Sequence, residues 1–449
     1  MITTELFEKY DVPVPRYTSY PTVPFWTNSP TSEEWMQSLE SVFQNRDASW
    51  ALYLHIPFCE SLCTYCGCTT VIGRPHKVEE PYANRLYHEL ELYLDRLADL
   101  KTRPLKQIHL GGGTPTFLSA PVLQNLIDKI FKRLNVAPQF DGSIEVDPRR
   151  TSPQQLEVLR RLGFSRVSMG VQDFAPEVQR LINRIQPKEK TVELTHAARD
   201  LGYESINYDL IYGLPAQTPQ SILRTVTDTI ELRPDRVALY SLAVVPWIKP
   251  QQRLFKYEDL PRGADKRKLY ELAREQFLKS GYVEIGIDHF ALPNDGLARA
   301  RDNQTLHRNF MGYTDYRTDI LLGLGLSAIS ETPNCFHQNE KVLSRYEQVV
   351  DSGRLPTLRG HKLDEEDRMC REQILRFMTR GEVEFQNAAQ KADVAQFLTS
   401  MLEDGLVRLD GSRLILTDNG RPFLRNACVA FDMHLRRQSP NTQIFSLAL

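Results

Sequence analysis

No stretch of the 449 residues stays apolar for the roughly 18 positions that a membrane-crossing helix requires, so the sequence offers no span of that kind. An excess of one charge is also missing. Lys and Arg total 55 and Asp and Glu 57, a formal net charge of −2, which sets up no overall field to collect nucleic acid or an anionic membrane. The opening residues, "MITTELFEKYDVPVP", carry neither the basic stretch nor the apolar core of a secretory leader. That leads us to expect a cytoplasmic protein whose thiols stay reduced. Cysteine is scarce and odd in number, at seven, which fits badly with a disulfide framework.

What is present is an ordinary globular composition, 41% apolar and 25% charged, in a chain long enough for one large domain and a smaller one. Three parts are expected. Residues 1–45 are rich in Pro and Tyr ("PVPRYTSYPTVPFW"), where closely spaced prolines favour an extended arm, followed by a short helix from Ser32 with Ser as its N-cap. Residues 46–340 repeat one pattern. Short β-rich runs at 51–57, 107–113, 142–148, 166–172, 205–215 and 236–242 are separated by longer amphipathic segments such as "APVLQNLIDKIFKRL". Strand followed by helix, six times, predicts an α/β fold of parallel strands with crossover helices. The runs are mostly apolar rather than alternating, as when both faces of a sheet are covered. Residues 341–449 read as helix, hairpin ("DGS") and helix, a mainly helical, winged-helix-like cover.

Polar residues recur at the carboxyl ends of those runs: His55 and Cys59, Gly112 and Thr114, Glu145 and Asp147, Gln172, and Asp209. In a parallel α/β barrel these ends share one face, and active sites assemble there. A doubly wound open sheet is the alternative and places its site at strand ends too.

The stretch "HIPFCESLCTYCGC" (55–68) puts Cys59, Cys63, Cys66 and Cys68 into ten positions, spaced CxxxCxxC with one more Cys two residues on. A structural zinc site ordinarily takes two separated CxxC-like pairs, and no distant partner pair stands here. Iron–sulfur clusters are held by thiolates. Three thiolates around a [4Fe–4S] cube leave one iron open to a small molecule. One strand later comes "GGGTPT" (111–116), which lacks the GK[ST] of a phosphate loop. Its glycines allow a close backbone approach that a Cβ would block.

With these motifs in place the sequence resembles the radical S-adenosylmethionine enzymes, and over nearly its whole length the oxygen-independent coproporphyrinogen III oxidase family. The pieces that carry the resemblance are "PRYTSYPT" (15–22), "YLHIPFC" (53–59), "CGC" (66–68), "GGGTPTFL" (111–118), "IEVDPR" (144–149), "MGVQDF" (169–174), "VQRLINR" (178–184), "NYDLIYGLP" (207–215), "DHFA" (288–291), "LHRNFMGYT" (306–314) and "GLGLSAIS" (323–330). The resemblance implies a partial, six-stranded parallel β/α barrel. It also implies anaerobic oxidative decarboxylation of two propionates of coproporphyrinogen III to vinyl groups, in haem biosynthesis. A flavodoxin or ferredoxin as electron donor, a separate electron acceptor and a monomeric enzyme are implied as well.

Site residues follow from the same resemblance. Cys59, Cys63 and Cys66 are expected to ligate the [4Fe–4S] cluster, leaving Cys68 outside. Two S-adenosylmethionine molecules are expected in one pocket: one against Tyr53, Gly112, Glu145 and Ile329, the second against Tyr65, Gly113, Thr114, Gln172, Arg184, Asp209 and Ala243. A carboxylate-rich substrate calls for cations, with Arg16, His307 and Arg308 as the candidates. One departure stands at Ile320, where the family pattern leads us to expect an acid. Three rival readings remain. Haem carriers of the superfamily lack the fourth cysteine and the Tyr-rich arm. Radical methyltransferases or cyclopropanases of the same branch differ in product. A winged-helix redox regulator would want a basic cluster, whereas the basic residues here are mixed with acids.

Overall fold

The computed structural model describes residues 4–438 and 443–448. Its centre is a sheet of twelve strands: β1 (Trp50–Ile56), β2 (Leu105–Gly112), β3 (Val136–Val146), β4 (Phe164–Gln172), β5 (Ser205–Tyr212), β6 (Arg236–Ser241), β7 (Val283–Ile285), β8 (His289–Ala291), β9 (Ile320–Leu324), β10 (Ile329–Thr332), β11 (Cys335–Asn339) and β12 (Thr357–Lys362). They lie in the order β12-β11-β10-β9-β1-β2-β3-β4-β5-β6-β8-β7. The six sequence runs become β1 to β6, each parallel to the next. A seventh parallel strand, β9, joins on the far side of β1, and antiparallel strands extend both edges.

Between the six strands run the helices Glu79–Arg96, Ala120–Arg133, Pro153–Arg161, Lys188–Asp200 and Pro219–Leu232. Their boundaries follow local chemistry. Ser152 and Gln155 form a capping box ahead of Pro153, and Thr218 with Ser221 does the same ahead of Pro219. Helix Ala120–Arg133 buries Ala120, Leu123, Leu126, Ile127 and Ile130, one stripe at three- and four-residue spacing. Leu52, Leu54, Ile56, Ile108, Leu110, Ile144, Val167 and Leu239 join these stripes in one continuous core. Each such side chain contributes roughly 1.5–3 kcal/mol by leaving water.

The departure at Ile320 has a packing reason. Ile320 is fully buried and pairs with Trp50 in parallel register, a place where a carboxylate would be desolvated. The acid stands one residue earlier: Asp319 accepts hydrogen bonds from the Ser49 amide at 2.8 Å and its hydroxyl at 3.1 Å.

The N-terminal helix is capped differently from the sequence expectation. Thr31, not Ser32, is the N-cap of Ser32–Phe43, forming a capping box with Glu34. The extended arm is packed into the protein. Tyr10, Val14, Tyr17 and Tyr20 share an apolar core with Phe377, Leu406, Phe423 and Phe431 from the other end of the chain. The Arg425 guanidinium donates to the carbonyls of Val14 (2.5 Å) and Pro15 (3.0 Å), and Tyr17 Oη donates to Asp432 Oδ2 at 3.1 Å. The C-terminal residues form helices around a three-stranded sheet, Glu382–Glu384, Arg413–Leu416 and Val407–Asp410 in that order. The large sheet continues through β12 to Lys362, past the boundary read at 340/341.

Candidate active site

At the carboxyl ends of the parallel strands lies a cavity of about 420 Å³. Its wall takes residues from β2 through β6 and from the loop that follows β1.

That loop carries the cysteines and is held on three sides. Phe58–Cys59 pairs in parallel with Val71–Ile72, and the Val71 amide donates to the Pro57 carbonyl at 2.8 Å. The amides of Gly113 and Thr114 donate to the carbonyls of Ile56 (2.8 Å) and Phe58 (2.9 Å). On the other side the Thr64 amide donates to Ile182 O, and Asn183 Nδ2 to Leu62 O. From the segment after β6, the side chains of Lys249, Gln251 and Gln252 donate to the carbonyls of Cys68, Cys66 and Tyr65.

The three thiols of CxxxCxxC all face the cavity. Among the described residues, the only set of three or more His, Cys, Asp or Glu ligand atoms within 4.8 Å of one another lies elsewhere. The three sulfurs therefore do not all lie within 4.8 Å of one another. As free thiols they differ. Burial pushes Cys59 up to about 11, against a 3.4 Å contact with Thr114 Oγ1. A hydrogen bond from Cys68, which outweighs burial, with help from Lys249, lowers Cys66 to about 6. Cys63 has two guanidiniums beside its sulfur, Arg184 at 3.7 Å and Arg149 at 3.8 Å. Both also bind the carboxylate of Asp147, Arg149 at 2.7 Å and Arg184 at 3.1 Å. Asp147 stays below the ordinary carboxylate range, because Arg184 and Arg149 overcome the cost of burial.

Neighbours within the protein require Gly112 and Gly113 of "GGGTPT" and crowd Gly111. A Cβ on Gly112, whose φ is +112°, would stand 2.6 Å from the His55 ring. On Gly113 it would meet the Pro57 carbonyl at 2.6 Å, and on Gly111 the Glu145 carboxylate at 3.0 Å. The Gly112 amide donates to Glu145 Oε2 at 3.1 Å, and His109 Nε2 lies 3.3 Å from Oε1. These contacts outweigh burial and hold Glu145 lowered. Asp209 goes the other way: burial, with the Glu145 charge behind it, lifts it to about 6 against hydrogen bonds from Ser168 and Asn207. Gln172 ends β4 in the left-handed region at φ +68°, and Gly170 leaves room for its amide.

The cavity wall thus includes Cys59, Cys63, Tyr65, Cys66, Gly112, Gly113, Thr114, Glu145, Gln172, Arg184, Asp209, Ala243 and Arg16. Tyr53 stands behind that wall, its hydroxyl 3.0 Å from His55 Nδ1 and its ring against Phe310. Ile329 packs near Trp26 and Phe336. His307 and Arg308, the other two candidate substrate cations, are not among the residues of this wall. They lie on the hairpin His307–Asn309 and Gly312–Thr314, where the Arg308 guanidinium stacks 4.4 Å over the Tyr313 ring. Burial, then Arg317 and Arg371, pushes His307 down to about 3, leaving it uncharged. Sequence reasoning missed Arg149, Ser168 and Tyr240, which also line the cavity. For Arg149 the alternation Asp147–Arg149 just past a strand end was the available signal.

The residues fit an iron–sulfur cluster with an amino-acid-bearing ligand. Three thiols converge without a disulfide. Arg184, 6% exposed, has an Nε with no hydrogen-bond partner, a donor free for a carboxylate.

Comparison with known proteins agrees with this geometry. The model of the radical SAM superfamily matches residues 53–229. The oxygen-independent coproporphyrinogen III oxidase of Pseudomonas aeruginosa is 39% identical, with 98% of this chain and 97% of that protein covered. The enzyme of that name from Escherichia coli is 37% identical over 97% and 96%. A solved structure described as coproporphyrinogen III oxidase from Escherichia coli, a radical SAM enzyme, superposes with a TM-score of 0.89, covering 94% of this chain and 98% of that one.

Proposed function

The chain belongs to the radical SAM superfamily and, within it, to the oxygen-independent coproporphyrinogen III oxidases, and from that premise we propose how its own residues serve the reaction. It is a radical SAM oxidoreductase that decarboxylates two propionates of coproporphyrinogen III to vinyl groups without oxygen, giving protoporphyrinogen IX. When bound, the [4Fe–4S] cluster and S-adenosylmethionine supply a one-electron reductant and a carbon radical that removes a hydrogen atom from a propionate side chain.

Cys59, Cys63 and Cys66 hold the cluster in this reading, while the exposed Cys68 stays outside it. Arg184 offers its unpartnered Nε to a methionyl carboxylate, and Glu145 and Asp209 accept from amino or hydroxyl groups. Gly112 and Glu145 are assigned to one S-adenosylmethionine. Tyr65, Gly113, Thr114, Gln172, Arg184, Asp209 and Ala243 are assigned to a second. Tyr53 and Ile329 act on the first only through the wall they support. The observation that carries the proposal is the meeting, in one cavity, of the three thiols, the glycine strand end and the Arg184 donor.

Arg16 lines this cavity and the smaller one beside it, and it is the cation assigned to a substrate propionate. Tyr10 to Tyr20 of the arm share a core with the C-terminal helices, while Trp35, Leu39 and Phe43 pack into the core of the large sheet, so the arm ties the C-terminal part to the barrel and helps to exclude water. An acidic flavodoxin or ferredoxin suits the rim of the cysteine loop, where exposed Leu181, Ile185, Trp247, Ile248 and Leu254 stand among Arg180, Arg253 and Lys256. No helix of the described residues is long and apolar enough to cross a membrane. We take the enzyme to act as a cytoplasmic monomer.

Electron paramagnetic resonance of the reduced protein tests the ligand assignment. The cluster signal should change on adding S-adenosylmethionine, persist in Cys68→Ser and vanish in Cys63→Ala. A cluster that survives Cys63→Ala, or is lost in Cys68→Ser, contradicts the assignment.

A further inference from the structure

Away from the cysteine loop, three side chains from three elements converge where the sheet edge meets the C-terminal helices. His361 is on β12, Asp367 in the first turn of helix Glu365–Arg380, and His434 in helix Met433–Gln438. His361 Nε2 is 2.6 Å from Asp367 Oδ2, and His434 Nε2 is 2.7 Å from Asp367 Oδ1. The two rings are 5.5 Å apart at 87°. Among the described residues no other group of His, Cys, Asp or Glu brings three ligand atoms within 4.8 Å of one another.

We propose that His361, Asp367 and His434 bind one divalent transition-metal ion such as zinc, and that this ion pins the sheet edge to the C-terminal part of the chain. Two imidazoles and one carboxylate are a common three-ligand set for zinc, with a fourth position left to water. The site is built rather than incidental. The Asp367 side chain is 5% exposed, and its backbone is fixed by a capping box in which the Asp367 amide donates to Asp364 Oδ1 at 2.8 Å. The His361 and His434 side chains are 16% and 26% exposed, enough for a water to complete the shell.

The surroundings favour a cation. Asp364 and Asp432 both face His434. Glu366 lies next to Asp367 in sequence, and the cation that answers it, Arg437, is engaged in a bidentate pair at 2.6 and 2.7 Å. The nitrogen–oxygen separation across a tetrahedral zinc with bonds of about 2.0–2.1 Å is about 3.3 Å. Each of the two nitrogen–oxygen separations would lengthen by a fraction of an ångström to admit the ion. The His434 ring also lies 5.9 Å from Tyr20 and 5.7 Å from Phe25, so a filled site would steady the part of the arm that rests on it.

The test uses cluster-loaded enzyme, prepared anaerobically and given one equivalent of zinc, with iron and zinc counted after gel filtration. Zinc-edge X-ray absorption on the same sample reads the ligands. Wild type should keep about one zinc with nitrogen and oxygen neighbours only. His434→Gln, at the more exposed ligand, and Asp367→Asn should each weaken zinc binding by at least about tenfold, since even groups behind a ligand are worth roughly 10–100-fold, while iron content stays unchanged. Wild type that retains no zinc, zinc whose shell contains sulfur, or variants that bind as wild type does would each overturn the proposal. The absorption measurement on wild type needs no variant to fold.

Discussion

The Arg184 guanidinium joins the sulfur of Cys63, 3.7 Å away, to the carboxylate of Asp147 at 3.1 Å, from a helix–loop junction 121 residues further along the chain than the cysteine. The junction is set by Asn183 in the left-handed region at φ +52° and by the Arg184 amide donating to Gln179 O at 2.8 Å. Replacing Arg184 by Ala leaves Asp147 paired with Arg149 alone, so the loss should stay below the about 3–5 kcal/mol of a buried charge left with no partner. Arg184→Lys keeps the charge but not the fork. It should retain iron while weakening S-adenosylmethionine binding about tenfold, which is about 1.4 kcal/mol. Equilibrium dialysis against labelled cofactor and a thermal melt read the two effects separately.

Gly112→Ala meets both a left-handed φ and the His55 ring at 2.6 Å. The ring is itself fixed, with Nε2 3.0 Å from Thr69 O and Nδ1 3.0 Å from Tyr53 Oη. Strain of about 1–3 kcal/mol is expected. The thermal midpoint should fall, and the reconstituted protein should hold less iron because the same strand end frames the cysteine loop.

Asp209 gives a pH dependence with a definite sign. Its carboxyl is raised from 3.8 to about 6, so the folded chain binds this proton more tightly than the unfolded one. The stabilising contribution is complete below about pH 4 and disappears as the pH rises through about 6, an effect of at most about 2–3 kcal/mol before screening by solvent at this partly exposed group. Relative to wild type, Asp209→Asn should therefore gain stability on going from acid to neutral pH. It should also bind S-adenosylmethionine more weakly at neutral pH. Denaturant midpoints across the range and cofactor binding check both; parallel stability curves would contradict the assignment.

Arg16→Ala should raise the KM for the porphyrinogen several-fold and leave iron content and S-adenosylmethionine binding unchanged. Its backbone neighbours Val14 and Pro15 are held by Arg425, so the arm should stay in place. Steady-state kinetics with iron analysis decide it, and an unchanged KM would remove Arg16 from the substrate site.

Much of the barrel was legible in the sequence because its signals are local. Apolar runs of strand length, amphipathic segments of helix length, and Pro at the first helical turn marked β1 to β6 and their crossovers. β3 begins at Val136 although the run was read from 142, because Pro138, Gln139 and Asp141 interrupt its apolar character. The cysteine spacing and the glycine triplet were equally local and led to one cavity. What the sequence hid depends on distant residues meeting. Tyr17 and Asp432 are 415 residues apart, and no local pattern shows that the arm belongs to the C-terminal core. His307 and Arg308 are neighbours on one hairpin, and no local pattern shows that the Arg308 guanidinium lies over the Tyr313 ring. His361, Asp367 and His434 are likewise separate in sequence and adjacent only in the fold.

The most direct test of the account is anaerobic turnover of the reconstituted protein with S-adenosylmethionine, coproporphyrinogen III, a reductant and a cell extract supplying the electron acceptor, followed by mass spectrometry. The account predicts loss of two CO₂ units with formation of two vinyl groups, abolished in Cys63→Ala. Cleavage of S-adenosylmethionine with a methylated or unaltered porphyrinogen would contradict it.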